Sequence, residues 1–549
     1  VVSSKDIPPR PSLSGQITVE FLNANGIGYV FGIPATHVVE IYEGIRQDGN
    51  IKSVVGRNEQ ATSYMADGYA RRSRTIGATL VTGGPGLGNS VTGLQCAYSD
   101  STPVLLLTSD LNPDVRSRQP IGIPHETFDS AGVARATGAH TQRIDSPHAI
   151  TQTLESVVGA MLNGRYRPGV CLYSRAVLES DIKRSALSVP NARTVLRSKP
   201  QVLGQEDAIA AVAQALKKSK KPLILAGMGV YWAAGESELA TLVFELGIPC
   251  VTTVPATGVI PRMDAGLMGT VNLATNRALL AEADLVIAVG ASFGSVTSSN
   301  GALKIDGKIV QVNIDPHDIG QIYPAEIGIL MDAKDFLAAL IEELGSQIKF
   351  HDIWSPNFSI PADNPWVKAI EVATEGIKTT IAADVCITSD WMYKSLAITK
   401  SRRLFMPWNY MNLGWSYAAA IGMKAAAPED FVISVMGDGG ALFSLGEAAT
   451  AVESNLPICL LVFNNRSYGT IALVQQQWFA GNEFGVQLST PDFRAYAETF
   501  GLPYKNCKTP EELVAALKEF STSKKPTVIE VEIELNDQVV LTKLYSQTL

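Results

Sequence analysis

Apolar positions along the chain fall into short unbroken runs separated by stretches where they recur at helical spacing. Gly28-Tyr-Val-Phe31, Ile51-Lys-Ser-Val-Val55, Ala78-Thr-Leu-Val81 and Pro103-Val-Leu-Leu-Leu107 read as strands. Between Glu59 and Arg72, Ala61, Met65 and Tyr69 share one helical face. Further on, Pro222-Leu-Ile-Leu-Ala226, Leu285-Val-Ile-Ala-Val289 and Ile309-Val-Gln-Val-Asn-Ile314 repeat the strand pattern. So do Phe431-Val-Ile-Ser-Val-Met436 and Pro457-Ile-Cys-Leu-Leu-Val-Phe463, with a helix expected from Leu445 to Ser454 between them. Strands apolar on both faces, alternating with helices, predict α/β architecture with parallel sheets. Three consecutive parallel-sheet α/β domains are expected, over 14–181, 200–345 and 362–537. Lys183–Pro200, with serines and basic residues, and Ser346–Pro365, with prolines, read as linkers. The first and third domains are candidates for one shared topology, each placing function at the ends of its strands.

Composition narrows the class. The chain has 549 residues, 46% apolar and 18% charged, which is enough core for several domains and excludes disorder. A net charge of −8 argues against a nucleic-acid surface, which needs a basic face, but leaves room for a local anion pocket. The six cysteines (Cys96, Cys171, Cys250, Cys386, Cys459, Cys507) form no CxxC pair, and several sit in apolar runs. Reduced, buried thiols of a cytoplasmic protein are expected rather than disulfides or a zinc site. No apolar stretch approaches the ~20 residues of a membrane helix. Val1–Ser14 is polar and proline-rich, unlike a signal peptide, and reads as an extended arm or a trimmed start.

The strongest chemical signal follows the strand Phe431–Met436. It ends in Gly437-Asp438-Gly439-Gly440, and the next strand ends in Asn464-Asn465. A strand–helix–strand unit brings two strands side by side, so Asp438 and Asn465 fall at neighbouring carboxyl ends, where open α/β sheets bind ligands. Magnesium takes about six oxygens and only one or two protein carboxylates. Asp438 offers the charge, Asn465 a neutral amide oxygen and Ser467 a backbone carbonyl; two diphosphate oxygens and a water would complete the shell. The glycines let phosphate approach the backbone, and the following helix offers free N–H groups. Either motif alone is an ordinary turn; the pair on consecutive strands is specific.

This arrangement resembles the metal–diphosphate signature of thiamine-diphosphate enzymes, and the resemblance runs from about Ser14 to Asp537. It implies thiamine diphosphate and Mg2+ as cofactors, with Gly437, Gly439, Gly440, Tyr468 and Gly469 beside the diphosphate. Asn58-Glu59-Gln60 resembles the start of the family's glutamate-bearing helix. Glu59 would then pair with the pyrimidine nitrogen as the acid/base partner that activates the cofactor. Family members often carry His where Asn58 stands. Thr82-Gly-Gly-Pro-Gly-Leu-Gly-Asn-Ser90 does not fit a dinucleotide loop. It resembles the family's turn beside the aminopyrimidine, with Gly84, Pro85 and Asn89 in contact. That turn is supplied by the opposite subunit, which implies a homodimer at minimum, often a homotetramer. Asn412-Leu413-Gly414-Trp415 resembles the segment under the thiazolium, with Leu413 enforcing the bent cofactor. Asp384–Trp391 resembles the diphosphate-side loop, with Thr388 and Ser389 as hydroxyl donors.

Phe31-Gly-Ile-Pro-Ala-Thr-His-Val-Val-Glu-Ile-Tyr42 resembles acetolactate synthase-like and guanidino-oxopentanoate decarboxylase-like proteins. Thr36 stands where related decarboxylases carry a catalytic polar residue; neighbouring His37 either faces substrate or simply packs. In Pro124-His125-Glu126-Thr127, His125 replaces the Gln of acetolactate synthases and is either a proton shuttle or a surface-loop histidine. Two departures weaken a synthase assignment: Ala291-Ser-Phe-Gly-Ser295 replaces an Arg-Phe-Asp-Asp-like stretch, and Val474 stands for a substrate-contacting Trp. Both argue against bound FAD, although Gly227-Met-Gly229 leaves a nucleotide open. The expected reaction is decarboxylation of a small-molecule 2-oxo acid through an enamine, giving an aldehyde or, by carboligation, an acyloin. An acetolactate synthase-like carboligase is the alternative, and a non-catalytic regulatory homologue the remote one. Nucleic acid and membrane are not expected partners.

Overall fold

The computed structural model describes residues 13–534 apart from 119–121, 126, 181–183, 187–191, 198, 201, 203, 261–267, 271–273, 346–348, 357 and 359–363. The expected N-terminal arm up to residue 12, Glu126, the stretch after 534 and much of both expected linkers therefore lie outside the described residues.

The chain forms two compact units. The first lies within Val1–Ser198, Tyr410–Glu429 and Ser444–Ile458. Its sheet contains β1 (Tyr29–Gly32), β2 (Lys52–Val55), β3 (Gly77–Val81), β4 (Val104–Asp110), β5 (His140–Ile144) and β6 (Gly169–Ser174), in the order β2-β1-β3-β4-β6-β5. Every pairing is parallel. β3, β4 and β6 are buried along their whole length, as a sheet covered on both faces requires. Strand order reverses between β1 and β3, so their carboxyl ends flank the crevice where this topology binds ligands.

The helix Glu59–Ser73 packs across the helix Trp415–Ala426 at backbone contact. A Cβ on Gly68 would lie 2.2 Å from the Ala419 carbonyl oxygen, and one on Gly422 1.9 Å from that of Met65. This close approach of Gly68 to Ala419 and of Gly422 to Met65, possible because the two glycines lack a Cβ, groups part of the third expected domain with the first. The helix expected over Leu445–Ser454 also belongs to this unit, as a 3-10 turn Leu445–Glu447 running into the helix Ala448–Glu453.

The second unit, within Lys199–Asn409, Asp430–Phe443 and Cys459–Leu549, holds two sheets. One contains β7 (Pro222–Ala226), β8 (Cys250–Thr252), β9 (Met268–Thr270), β10 (Leu285–Val289), β11 (Lys308–Asn313) and β12 (Ile327–Leu330), in the order β12-β11-β10-β7-β8-β9. The other contains β13 (Thr379–Ala383), β14 (Arg402–Phe405), β15 (Phe431–Gly437), β16 (Ile458–Asn464), β17 (Tyr504–Cys507) and β18 (Thr527–Glu532), in the order β14-β13-β15-β16-β18-β17. That order repeats the topology of the first unit's sheet, so the chain carries three parallel-sheet α/β domains, two of one design. A single apolar core, including Leu225, Val286, Ile398, Trp391 and Leu461, runs between the two sheets of this unit.

At the order reversal of the middle sheet, the loops after β7 and β10 are bonded to each other. Gly227 N–H donates to the Val289 carbonyl (2.9 Å) and Gly229 N–H to that of Gly290 (3.0 Å). Phe293 is buried and packs edge-on against Tyr323 at 5.0 Å. Its segment Ala291–Ser295 is thus core in part, with the Ala291 carbonyl accepting from Gln311 Nε2 at 3.2 Å. All six cysteines are free; five are buried and Cys386 half-buried. Among the described residues no helix is long and apolar enough to cross a membrane.

Candidate functional site

The first unit gathers its predicted groups on one turn. After β3, the chain enters the helix Pro85–Ser99 through Gly84, whose φ is +59°. A Cβ on Gly84 would lie 2.5 Å from the His125 carbonyl oxygen, so both backbone and neighbour demand glycine. Pro85 occupies the first helical turn, where its missing N–H costs nothing. One turn on, Asn89 Nδ2 donates to Glu59 Oε2 at 2.9 Å. Before β3's turn leaves the sheet, Thr82 Oγ1 lies 3.4 Å from His37 Nδ1. The turn therefore touches His37, His125 and Glu59, each from a different loop at the carboxyl edge of the sheet.

Glu59 is the first residue of its helix and is half-buried. Asn58 is the N-cap: its backbone is extended and its side-chain oxygen accepts from Gln60 N–H at 2.8 Å. Asparagine here satisfies a helix-end donor, which is a local reason for the departure from His. His37 and His125 meet edge-on with ring centroids 4.7 Å apart. Burial lowers the His37 pKa, and the charges of His125 and Arg175 push it the same way, against Glu179 and Glu40. His125 is exposed and adopts φ +60°, a conformation uncommon outside glycine. Thr36 is exposed on the turn beside His37.

Leu413 is half-buried, and Gly414, with φ +76°, begins the helix Trp415–Ala426. Asn412, just before Leu413, is 9% exposed, with both amide atoms buried and unbonded among the described residues. Buried amides need partners, so this side chain keeps hydrogen-bonding capacity that the described residues do not use. Its only sequence signal is adjacency to Leu413.

In the second unit, β15 delivers Asp438 to the start of the short helix Asp438–Ala441. Asp438 is 1% exposed. Its Oδ1 accepts from Asn465 N–H at 3.4 Å, while its Oδ2 is buried without a partner among the described residues. Burial pushes its pKa up to about 6, against the pull of the backbone N–H groups of Asn465, Gly439 and Ser467. β16 lies next to β15 and ends at Asn464, so Asn465 and Asp438 meet as their spacing predicts. Asn465 Oδ1 accepts from Ser467 N–H at 3.1 Å, and Ser467 Oγ is likewise buried and unbonded.

The glycines have steric reasons. A Cβ on Gly439 would strike the Tyr468 ring at 2.7 Å, and one on Gly440 would lie 2.3 Å from Asp384 Oδ2. Gly437 has more room, facing Cys386 Cβ at 3.4 Å, and Gly469 is buried at the start of the helix Gly469–Trp478. The helix Ile387–Ser395 turns its N-terminus to this region through Cys386. Thr388 and Ser389 are buried there; Ser389 Oγ donates to the Asp384 carbonyl and Thr388 Oγ1 lies 2.9 Å from Cys386 Sγ. Both hydroxyls thus make contacts within the loop, at the start of a helix, the end that favours anions.

A strut beneath the 464–467 turn has no local signal in the sequence. Asn464 Nδ2 donates to Glu530 Oε1 (2.7 Å), Asn464 Oδ1 accepts from Arg466 N–H (3.0 Å), and Tyr504 OH donates to Glu530 Oε2 (2.6 Å). In the Asn464-Asn465 pair the first asparagine therefore ties the loop to β18, and the second bonds within the loop. No group of three or more His, Cys, Asp or Glu side chains among the described residues is arranged for a metal. A cation at Asp438 would draw on amide and carbonyl oxygens, the hard donors that magnesium accepts. An unbonded buried carboxylate oxygen at a glycine-walled turn fits a cation with a bound diphosphate.

Comparison with known proteins agrees with the layout. Residues 14–133 match the model of the thiamine pyrophosphate enzyme N-terminal TPP binding domain, 209–340 the central domain, and 384–531 the C-terminal TPP binding domain. The chain is 29% identical over 545 residues to the probable acetolactate synthase large subunit of Methanocaldococcus jannaschii, covering 94% of this chain and 91% of that one. It is 27% identical over 553 residues to the acetolactate synthase large subunit of Haemophilus influenzae, covering 96% of each. It is also 29% identical over 546 residues to the probable 2-ketoarginine decarboxylase of Pseudomonas aeruginosa, covering 95% and 94%.

Proposed function

We propose that this chain, which belongs to the thiamine-diphosphate-dependent, acetolactate synthase-like enzyme family, uses that cofactor with Mg2+ to decarboxylate a 2-oxo acid, releasing an aldehyde or joining the residual acyl unit to a second carbonyl. The observation that carries the reading is the buried, unbonded Asp438 Oδ2 beside Asn465. Asp438, the Asn465 amide and the Ser467 carbonyl would hold the metal, and the N–H groups at the start of the helix Ile387–Ser395 would meet the diphosphate. Thiamine diphosphate, when bound, supplies the electron sink that lets carbon dioxide leave.

The chain's own work is to orient and to move protons. Glu59, held by Asn89 at 2.9 Å, would exchange a proton with the pyrimidine nitrogen. Leu413 would press the two cofactor rings together. His37 and His125 stand as an edge-on pair able to pass a proton to the product carbon. That pair favours the aldehyde outcome. The names of the synthase relatives favour carboligation as the second reading. Retention of Glu59, Asp438 and Asn465 together opposes a non-catalytic role.

The reading includes a homodimer at minimum. Exposed Phe443, Ile471, Trp478, Phe479 and Phe484 near the metal turn in sequence support a covered face there. The deciding experiment supplies thiamine diphosphate and Mg2+, offers a panel of 2-oxo acids, and measures carbon dioxide release with product identification. Absence of release across linear, branched and guanidino-bearing acids would refute the proposal.

A further inference from the structure

The turn that aims Glu59 is held from outside its own sheet. β2 pairs with β1 up to Val55, and Gly56 N–H still bonds the Gly32 carbonyl at 3.0 Å. The next amides belong neither to the sheet nor to the helix that Asn58 caps, and buried amides need acceptors. Glu447 supplies them. Its Oε1 and Oε2 accept from Arg57 N–H at 3.0 and 3.3 Å, and the Asn58 N–H points to the same carboxylate. Glu447 itself is 2% exposed. Thr450, three residues on, places its hydroxyl 2.7 Å from Glu447 Oε2 and 3.1 Å from the Val55 carbonyl oxygen. Glu453, one turn further, pairs with Arg57 Nη2 at 2.5 Å.

These contacts differ in weight. The Arg57–Glu453 pair is 32% and 62% exposed, and exposed pairs contribute little. The Glu447 carboxylate is buried, which raises its pKa, and the Thr450 hydroxyl, the Arg57 and Asn58 amides and the Arg57 charge pull the other way by favouring its ionised form, to which hydrogen bonds are the strong kind. A buried carboxylate that accepts two amides of this turn, and is itself held by a hydroxyl of its own helix, acts on that turn's position. The turn ends at Glu59.

We infer that Glu447, seated by Thr450, is a positioning residue that sets where the Glu59 carboxylate stands, and so governs cofactor activation without touching the cofactor. The inference rests on the proposed role of Glu59. It predicts that Glu447→Ala loosens the Val55–Glu59 turn while leaving the metal turn of the other unit unaltered.

The experiment compares full-length wild type, Glu447→Ala, Glu447→Gln, Thr450→Val and Glu59→Gln, each loaded with thiamine diphosphate and Mg2+. Three quantities are read: cofactor affinity by calorimetry, proton–deuterium exchange at the thiazolium carbon, and circular dichroism of the bound pyrimidine tautomers. Glu447→Ala should keep cofactor affinity and slow exchange by roughly 10²-fold, the scale of a 1 Å misplacement. Glu447→Gln, which keeps one acceptor for Arg57 N–H, should recover part of the rate. Thr450→Val should move exchange in the same direction by less, and decides the matter if Glu447→Ala does not fold. Exchange at the wild-type rate in the Glu447 and Thr450 variants, with Glu59→Gln slow, would overturn the inference alone. A fall in cofactor affinity matching the fall in exchange would also overturn it, by making Glu447 a general structural prop. Wild-type exchange in Glu59→Gln would instead refute the activation reading, and this inference with it.

Discussion

The Trp415 indole Nε1 donates to Asp67 Oδ2 at 2.7 Å, joining the helix that begins just after Leu413 to the helix that begins at Glu59. Asp67 also takes Arg71 Nε at 2.9 Å, and Arg71 Nη2 reaches Asp100 at 2.9 Å, all nearly buried. The guanidinium lies 4.9 Å from the Trp415 ring. Two glycines allow the helices to touch, and this cluster fixes their register.

Trp415→Phe should therefore cost stability. It keeps the apolar ring and removes one donor from a buried carboxylate, a loss of about 1.5–3 kcal/mol for a hydrogen bond to a charged group. Denaturant unfolding of the apo protein measures it. A midpoint equal to wild type would show that Arg71 alone satisfies Asp67.

Asp438→Ala should abolish the counter-charge for a metal–diphosphate while leaving the fold. Outer partners of a metal already shift affinity by roughly 10–100-fold, and a direct ligand should exceed that. Calorimetric titration with thiamine diphosphate in the presence of Mg2+ gives the answer. Wild-type affinity would remove Asp438 from the site.

Glu59→Gln should leave cofactor binding intact, since Glu59 and Asp438 are carried by different units. Gln still accepts from Asn89 and still bonds a ring nitrogen, but it exchanges no proton. Aldehyde and acyloin should fall together by roughly 10²–10⁴-fold. A selective loss of one product would point to a later step instead.

His37 should remain neutral to lower pH than a free histidine, because burial and the His125 and Arg175 charges disfavour its cation. Its folded pKa lies below the unfolded value of about 6.5, so the unfolded state binds the proton first. The stabilising contribution is whole above that unfolded value and is lost as pH falls through the folded pKa. Arg175→Gln should raise the His37 pKa, read by NMR titration of its ring protons. No upward movement would mean that Arg175 does not act on His37.

His125→Ala should spare cofactor affinity and slow product release from the 2-oxo acid panel by roughly 10²–10⁴-fold if it delivers a proton. An unchanged pH–rate profile would leave it a loop residue beside Gly84. Purified protein should also lack flavin absorbance; a stoichiometric flavin would revise the reading of Ala291–Ser295.

The sequence alone determined the three α/β domains, because strands buried on both faces must be apolar along their length and helices between them must be periodic. It determined the meeting of Asp438 with Asn465, because a strand–helix–strand connection leaves few arrangements open. It also marked Glu59, since a helix start after a strand is visible locally. Tertiary structure decided what depends on distant packing: that Asn464 bonds Glu530 while Asn465 bonds Ser467, that Asn412 is buried without a partner among the described residues, and that His37 and His125 touch. It decided the grouping of 410–429 and 444–458 with the first unit, through glycines whose helical neighbours gave no hint of a backbone contact. Glu447 lies 390 residues from Arg57 in the chain, so no local pattern could pair them. A hydrogen bond to a backbone amide leaves no mark on the sequence of the residue that donates it.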